Sequence, residues 1–234
     1  MGKRPDRNHA SAFNAMMVLE ALSGEQIKLS QRYQAHSNQV TNWKKQLLVS
    51  VIAFHVLTFL LPANSSAQSA KNLAWTELLR GQAIAIIRHA IAPGFGDPPQ
   101  FSIGDCSTQR NLSKKGRAQA RRIGELFRSK GVKGASVFSS QWCRCLETAK
   151  LINLGDVKEL PSLNSFFRDI STEDAQTLEI RNFIRTLPAG RPTILVTHQV
   201  NITALTGIFP SSGEIIIFRL TLGGQATVLG RFIP

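Results

Sequence analysis

Aromatic side chains are scarce in this 234-residue chain: there is one Tyr, there are three Trp, and the aromatic share is 7%. Acidic residues are scarce as well, 15 Asp and Glu against 28 Lys and Arg, so the formal net charge is +13. Charge alone would point to a nucleic-acid binder. The shortage of rings argues against that, because single-strand platforms interleave stacking residues with basic ones and no such stripe is present. Cysteine is limited to Cys106, Cys143 and Cys145. A Cys-x-Cys pair with one distant Cys and scattered His lacks zinc-site spacing, so no metal is expected. No internal repeat or low-complexity tract occurs. The apolar share of 43% suffices for a real core, which excludes global disorder.

No apolar run reaches the roughly 20 residues of a stable membrane span. The longest, 47–61, reads LLVSVIAFHVLTFLL and is interrupted only by Ser50, His55 and Thr58. Lys44-Lys45 precedes it, and Pro62 with the small polar run Ala63-Asn64-Ser65-Ser66-Ala67 follows. A basic flank, a short apolar stretch and small residues describe a secretory signal, with Ser65 and Ala67 favouring cleavage before Gln68. The expected organisation is therefore an N-terminal extension over 1–46, a signal and cleavage region over 47–67, and a domain over 68–234. The extension is long for a signal. Either the start lies nearer Trp43, or 1–46 is a cytoplasmic tail on an uncleaved anchor. The expected location is the periplasm or the exterior, with inner-membrane anchoring as the alternative. In an oxidising compartment two of the three cysteines can pair. Cys143 and Cys145 stand too close to pair easily with each other, which leaves Cys106 as partner for one of them.

Beyond the signal, apolar strands alternate with amphipathic helices. Unbroken apolar residues mark strands over 82–90 and 192–197, shorter strands are expected over 136–139 and 157–163, and a terminal hairpin over 214–220 and 225–233. Helices are expected over 73–80, over 113–130 capped by Ser113, over 144–153, from a cap at Ser171 to about Leu187, and over 200–207. The pattern predicts an α/β fold, a mostly parallel central sheet with helices on both faces.

Ligands of such sheets bind beyond the carboxyl ends of the strands. Three strands end in polar residues: Arg88-His89-Ala90, Ser139-Ser140 with Arg144 after it, and Thr197-His198. Two Arg and two His would converge on one edge. Guanidinium forks fit phosphoryl oxygens, a neutral imidazole is a competent nucleophile, and a second imidazole can stabilise the transferring charge. Such a quartet needs no metal and no cofactor. The basic cluster Lys114, Lys115, Arg117, Arg121, Arg122 is read as a solvated helix face, or as a field that draws in anions.

These residues resemble the histidine phosphatase (phosphoglycerate mutase-like) superfamily. Arg88-His89-Ala90 is similar to its Arg-His-Gly signature. Residues Asn111-Leu112-Ser113-Lys114-Lys115-Gly116-Arg117-Ala118-Gln119-Ala120 are similar to its Leu-Thr/Ser-x-x-Gly-x-x-Gln-Ala helix start. The stretch from Ser140 through Arg144 to Thr148-Ala149 is similar to Ser-x-x-x-Arg-x-x-x-Thr-Ala, and Val196-Thr197-His198 to the second-histidine strand. The resemblance covers about 80–234 and implies a phosphoric monoester hydrolase working through a phosphohistidine at His89. Arg88, Arg144 and His198 would bind the phosphoryl group, and Glu147 would orient the pocket. The substrate implied is a small phosphorylated molecule; exported relatives point to a cell-envelope sugar phosphate. No nucleic acid is expected, and the membrane enters only if the signal stays uncleaved. Two departures stand out. Ala90 replaces Gly, and no Glu follows the strand after the Thr-Ala helix, where many members keep their general acid. Asp169 and Asp105 are the candidate substitutes. An adaptor or phosphate-binding module lacking the acid is the alternative reading.

Overall fold

In the chain's computed structural model, residues 64–234 are described, and the expected extension and apolar run lie outside them. Ser65 and Ala67 fall in the first turn of α1 (Asn64–Leu79). No helix among the described residues is long and apolar enough to cross a membrane.

After α1 come β1 (Ile84–Arg88), α2 (Lys114–Ser129), β2 (Ser136–Ser139), α3 (Cys143–Ile152), β3 (Val157–Glu159), α4 (Glu173–Thr186), β4 (Thr193–Thr197), α5 (Gln199–Thr206), β5 (Ile215–Leu220) and β6 (Ala226–Phe232). The strands form one sheet in the order β3-β2-β4-β1-β5-β6. β3, β2, β4 and β1 run parallel, and β5 and β6 add an antiparallel edge. The fold is the expected α/β class, mostly parallel and covered on both faces.

Period-two alternation divides each central strand between two cores. Ala85 and Ile87 of β1, with Ile194 and Val196 of β4, join Trp75, Leu78, Ile123, Phe127, Ala149 and Ile152 from α1, α2 and α3. Ile84 and Ile86, with Leu195, join Ile180, Ile202 and Leu205 from α4 and α5 on the other face. This is why the strands read as unbroken apolar runs. Each fully buried Ile or Leu contributes about 1.5–3 kcal/mol of transfer free energy.

Several expected boundaries move, the first helix most: expected over 73–80, it begins at Asn64 and ends at Leu79. The strand expected over 157–163 ends at Glu159, because Pro161 cannot donate to a ladder; a 3-10 turn over Pro161–Leu163 replaces its second half. The helix expected from Ser171 starts at Glu173. The Ser171 hydroxyl donates to Asp169 Oδ1 (2.5 Å), and Asp169 caps a separate 3-10 turn, Ile170–Thr172. The first strand begins two residues later than expected, at Ile84, after the Gly81 turn.

The helix after the first strand forms as expected. Ser113 Oγ accepts from Gly116 N (3.0 Å), capping α2. A Cβ on Gly116 would run into the Ile91 carbonyl, so glycine lets α2 lie against the chain leaving β1. Gln119 ties both ends of that approach. Its Oε1 accepts from Ile91 N (3.0 Å) and its Nε2 donates to Ser212 O (2.8 Å), just before β5.

Candidate active site

Strand register builds the site. β1 and β4 are parallel neighbours with Arg88 opposite Thr197, so the next residues, His89 and His198, leave the sheet side by side. His89 N donates to Thr197 O at 3.0 Å, continuing the ladder one step. β2 flanks β4 with Ser139 opposite Val196, and the chain turns there into α3, which carries Arg144. The ring centroids of His89 and His198 are 5.5 Å apart. His89, His198 and Arg144 are all buried.

His89 Nδ1 lies 2.8 Å from the Ala90 carbonyl. A carbonyl only accepts, so Nδ1 carries the proton and Nε2 the lone pair. That lone pair faces Arg144, whose Nε–H donates to it at 3.2 Å. Thr148, the threonine of the Thr-Ala pair, fixes this geometry from behind. Its Oγ1 donates to Arg144 O (2.7 Å) and accepts from Ala90 N (3.0 Å).

His198 takes the opposite tautomer. Nη2 of Arg144 can only donate to its Nδ1 (3.5 Å), so Nε2 carries the proton and donates to Ser140 Oγ at 2.9 Å. Ser140 in turn donates to Asn164 Oδ1 (3.2 Å). The free thiol of Cys145 lies 3.5 Å from His198 Nε2, and burial pushes that thiol up to about 12. Burial first, then the positive charge of Arg144, holds both imidazoles well below their usual value. Both rings are therefore neutral.

Arg88 reaches Pro210 O through Nη1 (3.0 Å), while its buried Nε has no partner. A buried guanidinium donor left without a partner suits an anion. The strand ends thus bring together His89, His198, Arg88 and Arg144, the four phosphate-site residues named from the sequence.

The other expected residues stand elsewhere. Glu147 accepts from Arg117 of α2 (2.5 and 3.1 Å), a half-exposed pair that clamps α2 to α3. Asp105 is exposed and caps a 3-10 turn through Ser107. Asp169 is bonded to Ser171. None of the three has a hydrogen bond to the two His or two Arg of the pocket.

Two pocket residues were missed, Asp97 and Arg110, both in the loop after β1. Asp97 forms a bidentate pair with Arg144 (Nη1 to Oδ1 2.6 Å, Nη2 to Oδ2 3.1 Å) and accepts from Trp142 Nε1 (3.0 Å) and Arg110 N (3.2 Å). Burial raises its carboxyl, but the hydrogen bonds and charge of Arg144, with the Trp142 and Arg110 N–H groups, outweigh burial and hold it below its usual range. Arg110 donates to the carbonyls of Gly96 (2.8 Å) and Ala92; burial, then the Arg144 charge, lower it to about 10. Its place directly before the Asn111-Leu112-Ser113 motif was the available signal.

The loop closes over the rings. Phe101 stacks on Trp142 (4.8 Å), Trp142 contacts His198 edge-on (5.2 Å), and Phe95 meets Phe167 (5.1 Å). Phe166 is a core residue. A disulfide links Cys106 to Cys143, pinning the loop beside Arg144 and leaving Cys145 free and buried. Among the described residues no cluster of His, Cys, Asp and Glu is arranged to hold a metal.

Residues 84–193 match the family model of the histidine phosphatase superfamily, branch 1. No curated protein matches the chain. Similar solved structures include the protein histidine phosphatase SixA complexed with tungstate, at 18% identity and TM-score 0.46, covering 65% of this chain and 97% of that one. Another is a phosphoserine phosphatase from Entamoeba histolytica in complex with 3-phosphoglyceric acid, at 13% identity and TM-score 0.46, covering 64% and 95%. A mycobacterial glucosyl-3-phosphoglycerate phosphatase is similar at 14% identity and TM-score 0.46, covering 63% and 96%.

Proposed function

The chain belongs to the histidine phosphatase superfamily, and from that premise we propose that it hydrolyses a small phosphomonoester outside the cytoplasm through a phosphohistidine at His89. One observation carries the reading: the proton of His89 sits on Nδ1, held by Ala90 O, so the lone pair on Nε2 points at the guanidinium of Arg144. The phosphoryl oxygens lie on Arg88, Arg144 and His198. Nε2 attacks phosphorus in line, the P–O bond to the leaving group breaks, and its electron pair goes with the leaving oxygen. The ring then bears a positive charge, which the Ala90 carbonyl stabilises through Nδ1–H. Water attacks phosphorus next, releases inorganic phosphate and returns the pair to Nε2.

Export is supported by the apolar run at 47–61 behind Lys44-Lys45 and by the Cys106–Cys143 disulfide, which suits an oxidising compartment. A cell-envelope sugar phosphate is the substrate class that fits this location. An N-terminus at Gln68 on the mature protein marks a cleaved signal; an intact N-terminus marks an anchor.

A second reading, a phosphate-binding module, draws on the carboxylates. Asp97 is paired with Arg144, and Asp105 and Asp169 cap turns through Ser107 and Ser171, so none of the three is placed to protonate a leaving group. The full chain is tested on p-nitrophenyl phosphate, whose leaving group scarcely needs an acid. Turnover that His89→Ala abolishes, with acid-labile label trapped on the wild type by rapid denaturation, supports the phosphatase. Binding of phosphate with turnover no greater than that of His89→Ala supports the module.

A further inference from the structure

A guanidinium has two edges that can each make a pair of parallel hydrogen bonds. Arg144 uses both. Its end edge, Nη1 and Nη2, holds the carboxylate of Asp97. Its side edge, Nε and Nη2, faces His89 Nε2 and His198 Nδ1 at 3.2 and 3.5 Å. The side edge is therefore the one turned to the space between the imidazoles, where a phosphoryl group would bind, and the carboxylate stands on a different edge. A long side chain with free rotors would not hold this pose by itself; the carboxylate fixes the plane of the fork.

Asp97 is itself held in place. Trp142 Nε1 and Arg110 N donate to it, and its own backbone carbonyl accepts from Arg168 Nη2 (2.8 Å). Gly94 and Gly96 adopt φ of 93° and 63°, a left-handed backbone that turns the chain back so that Asp97 meets Arg144. The Cys106–Cys143 bond and Gln109 Oε1, which accepts from Cys143 N (2.9 Å), fasten the same loop to the residue before Arg144.

We propose that Asp97 is a positioning residue: its carboxylate, delivered by the loop after β1, aims the side edge of Arg144 at the phosphoryl group. This rests on the phosphatase reading for its effect on turnover but not for its effect on anion binding. A guanidinium displaced by about 1 Å costs on the order of 100-fold in rate.

The experiment is a double-mutant cycle on the full chain, Asp97→Asn and Arg144→Lys singly and together, read by kcat and KM for p-nitrophenyl phosphate and by orthovanadate affinity. Lysine offers a point charge with no edge to aim. Asp97→Asn is expected to lower kcat/KM about 10- to 100-fold and to weaken vanadate about 10-fold. In the Arg144→Lys background the same change is expected to cost less than about threefold, because the residue acts through Arg144. Asp97→Glu, which keeps the charge, is expected to recover part of the loss, and it carries the test if Asp97→Asn does not fold. Equal losses in both backgrounds, or tighter vanadate in Asp97→Asn, as a carboxylate competing for the anion site would give, overturn the proposal. A wild type that binds vanadate but turns nothing over defeats the phosphatase reading instead, and the vanadate arm of the cycle still decides the role of Asp97.

Discussion

Two neutral imidazoles buried beside Arg144 make folding depend on pH in a calculable way. Burial and the Arg144 charge hold His89 and His198 well below 6.5 in the folded protein, whereas the unfolded chain titrates near that value. Between the folded and unfolded values the unfolded state binds protons that the native state refuses. The stability is thus fully present above pH 6.5 and is lost as pH falls. The linkage can give at most about 1.4 kcal/mol per pH unit below 6.5 for each ring, which sets an upper bound of about 4 kcal/mol for the pair between pH 7 and pH 5. Carboxylates also titrate toward the acid end, so the contribution is isolated by comparison with His89→Asn/His198→Asn, which lacks both rings. Urea unfolding of the two proteins at pH 7, 6 and 5 is the assay. The wild type is expected to lose stability faster, by up to about 4 kcal/mol over that span, and saturating orthovanadate is expected to flatten its dependence. Parallel profiles for the two proteins would refute the claim that both rings are neutral in the folded protein.

Two further outcomes follow from packing. Gly116→Ala puts a methyl group against the Ile91 carbonyl, a backbone atom that cannot step aside cheaply, and is expected to destabilise by about 1–3 kcal/mol in urea unfolding; a change within about 0.5 kcal/mol contradicts that account. The Cys106–Cys143 link closes a loop across 37 positions, so Cys106→Ser/Cys143→Ser is expected to cost about 4 kcal/mol on the chain-entropy scale. Alkylation with mass spectrometry should find no reactive thiol on the folded protein, because Cys145 is buried and its thiol is pushed up to about 12; three alkylated cysteines without reductant would count against the link.

The parallel core was legible because its chemistry is local. Strands buried on both faces must be apolar at every position, and 84–87 and 194–196 are. The polar residues that follow such runs mark the sheet edge where ligands bind. The strand-end residues were accordingly readable, and so was the hairpin, from the two apolar runs at the end of the chain. What escaped lies in irregular backbone. Nothing in the run from Gly94 to Asp97 announces that two left-handed glycines return a carboxylate to a helix 47 positions away. Ser171 has the composition of a helix cap, yet its hydroxyl finds Asp169 first, a contact of two residues' separation that competes with the helix. Glu147, placed by its motif near Arg144, points across to Arg117 instead, because the basic face of α2 lies there.

The tautomers of the two histidines define what a phosphoryl anion would change in the pocket. Arg144 donates to both rings, which forces lone pairs to face it at His89 Nε2 and His198 Nδ1. The first arrangement is already that of a nucleophile. The second is not that of a donor: protonating His198 Nδ1 with Arg144 in this pose would set two N–H groups against each other. An oxygen between them removes the conflict, because it accepts from Arg144 and from a protonated His198 at once. A phosphoryl dianion also brings the negative charge that the site lacks, since Asp97 is the only carboxylate bonded to Arg144 among the described residues while Arg88, Arg110 and Arg144 all lower both rings. In the proposed reaction, substrate binding and protonation of His198 would thereby be coupled: the anion would supply both the acceptor and the field that make the second imidazole a donor, and His89, tied through Nδ1–H to Ala90, would be the nucleophile.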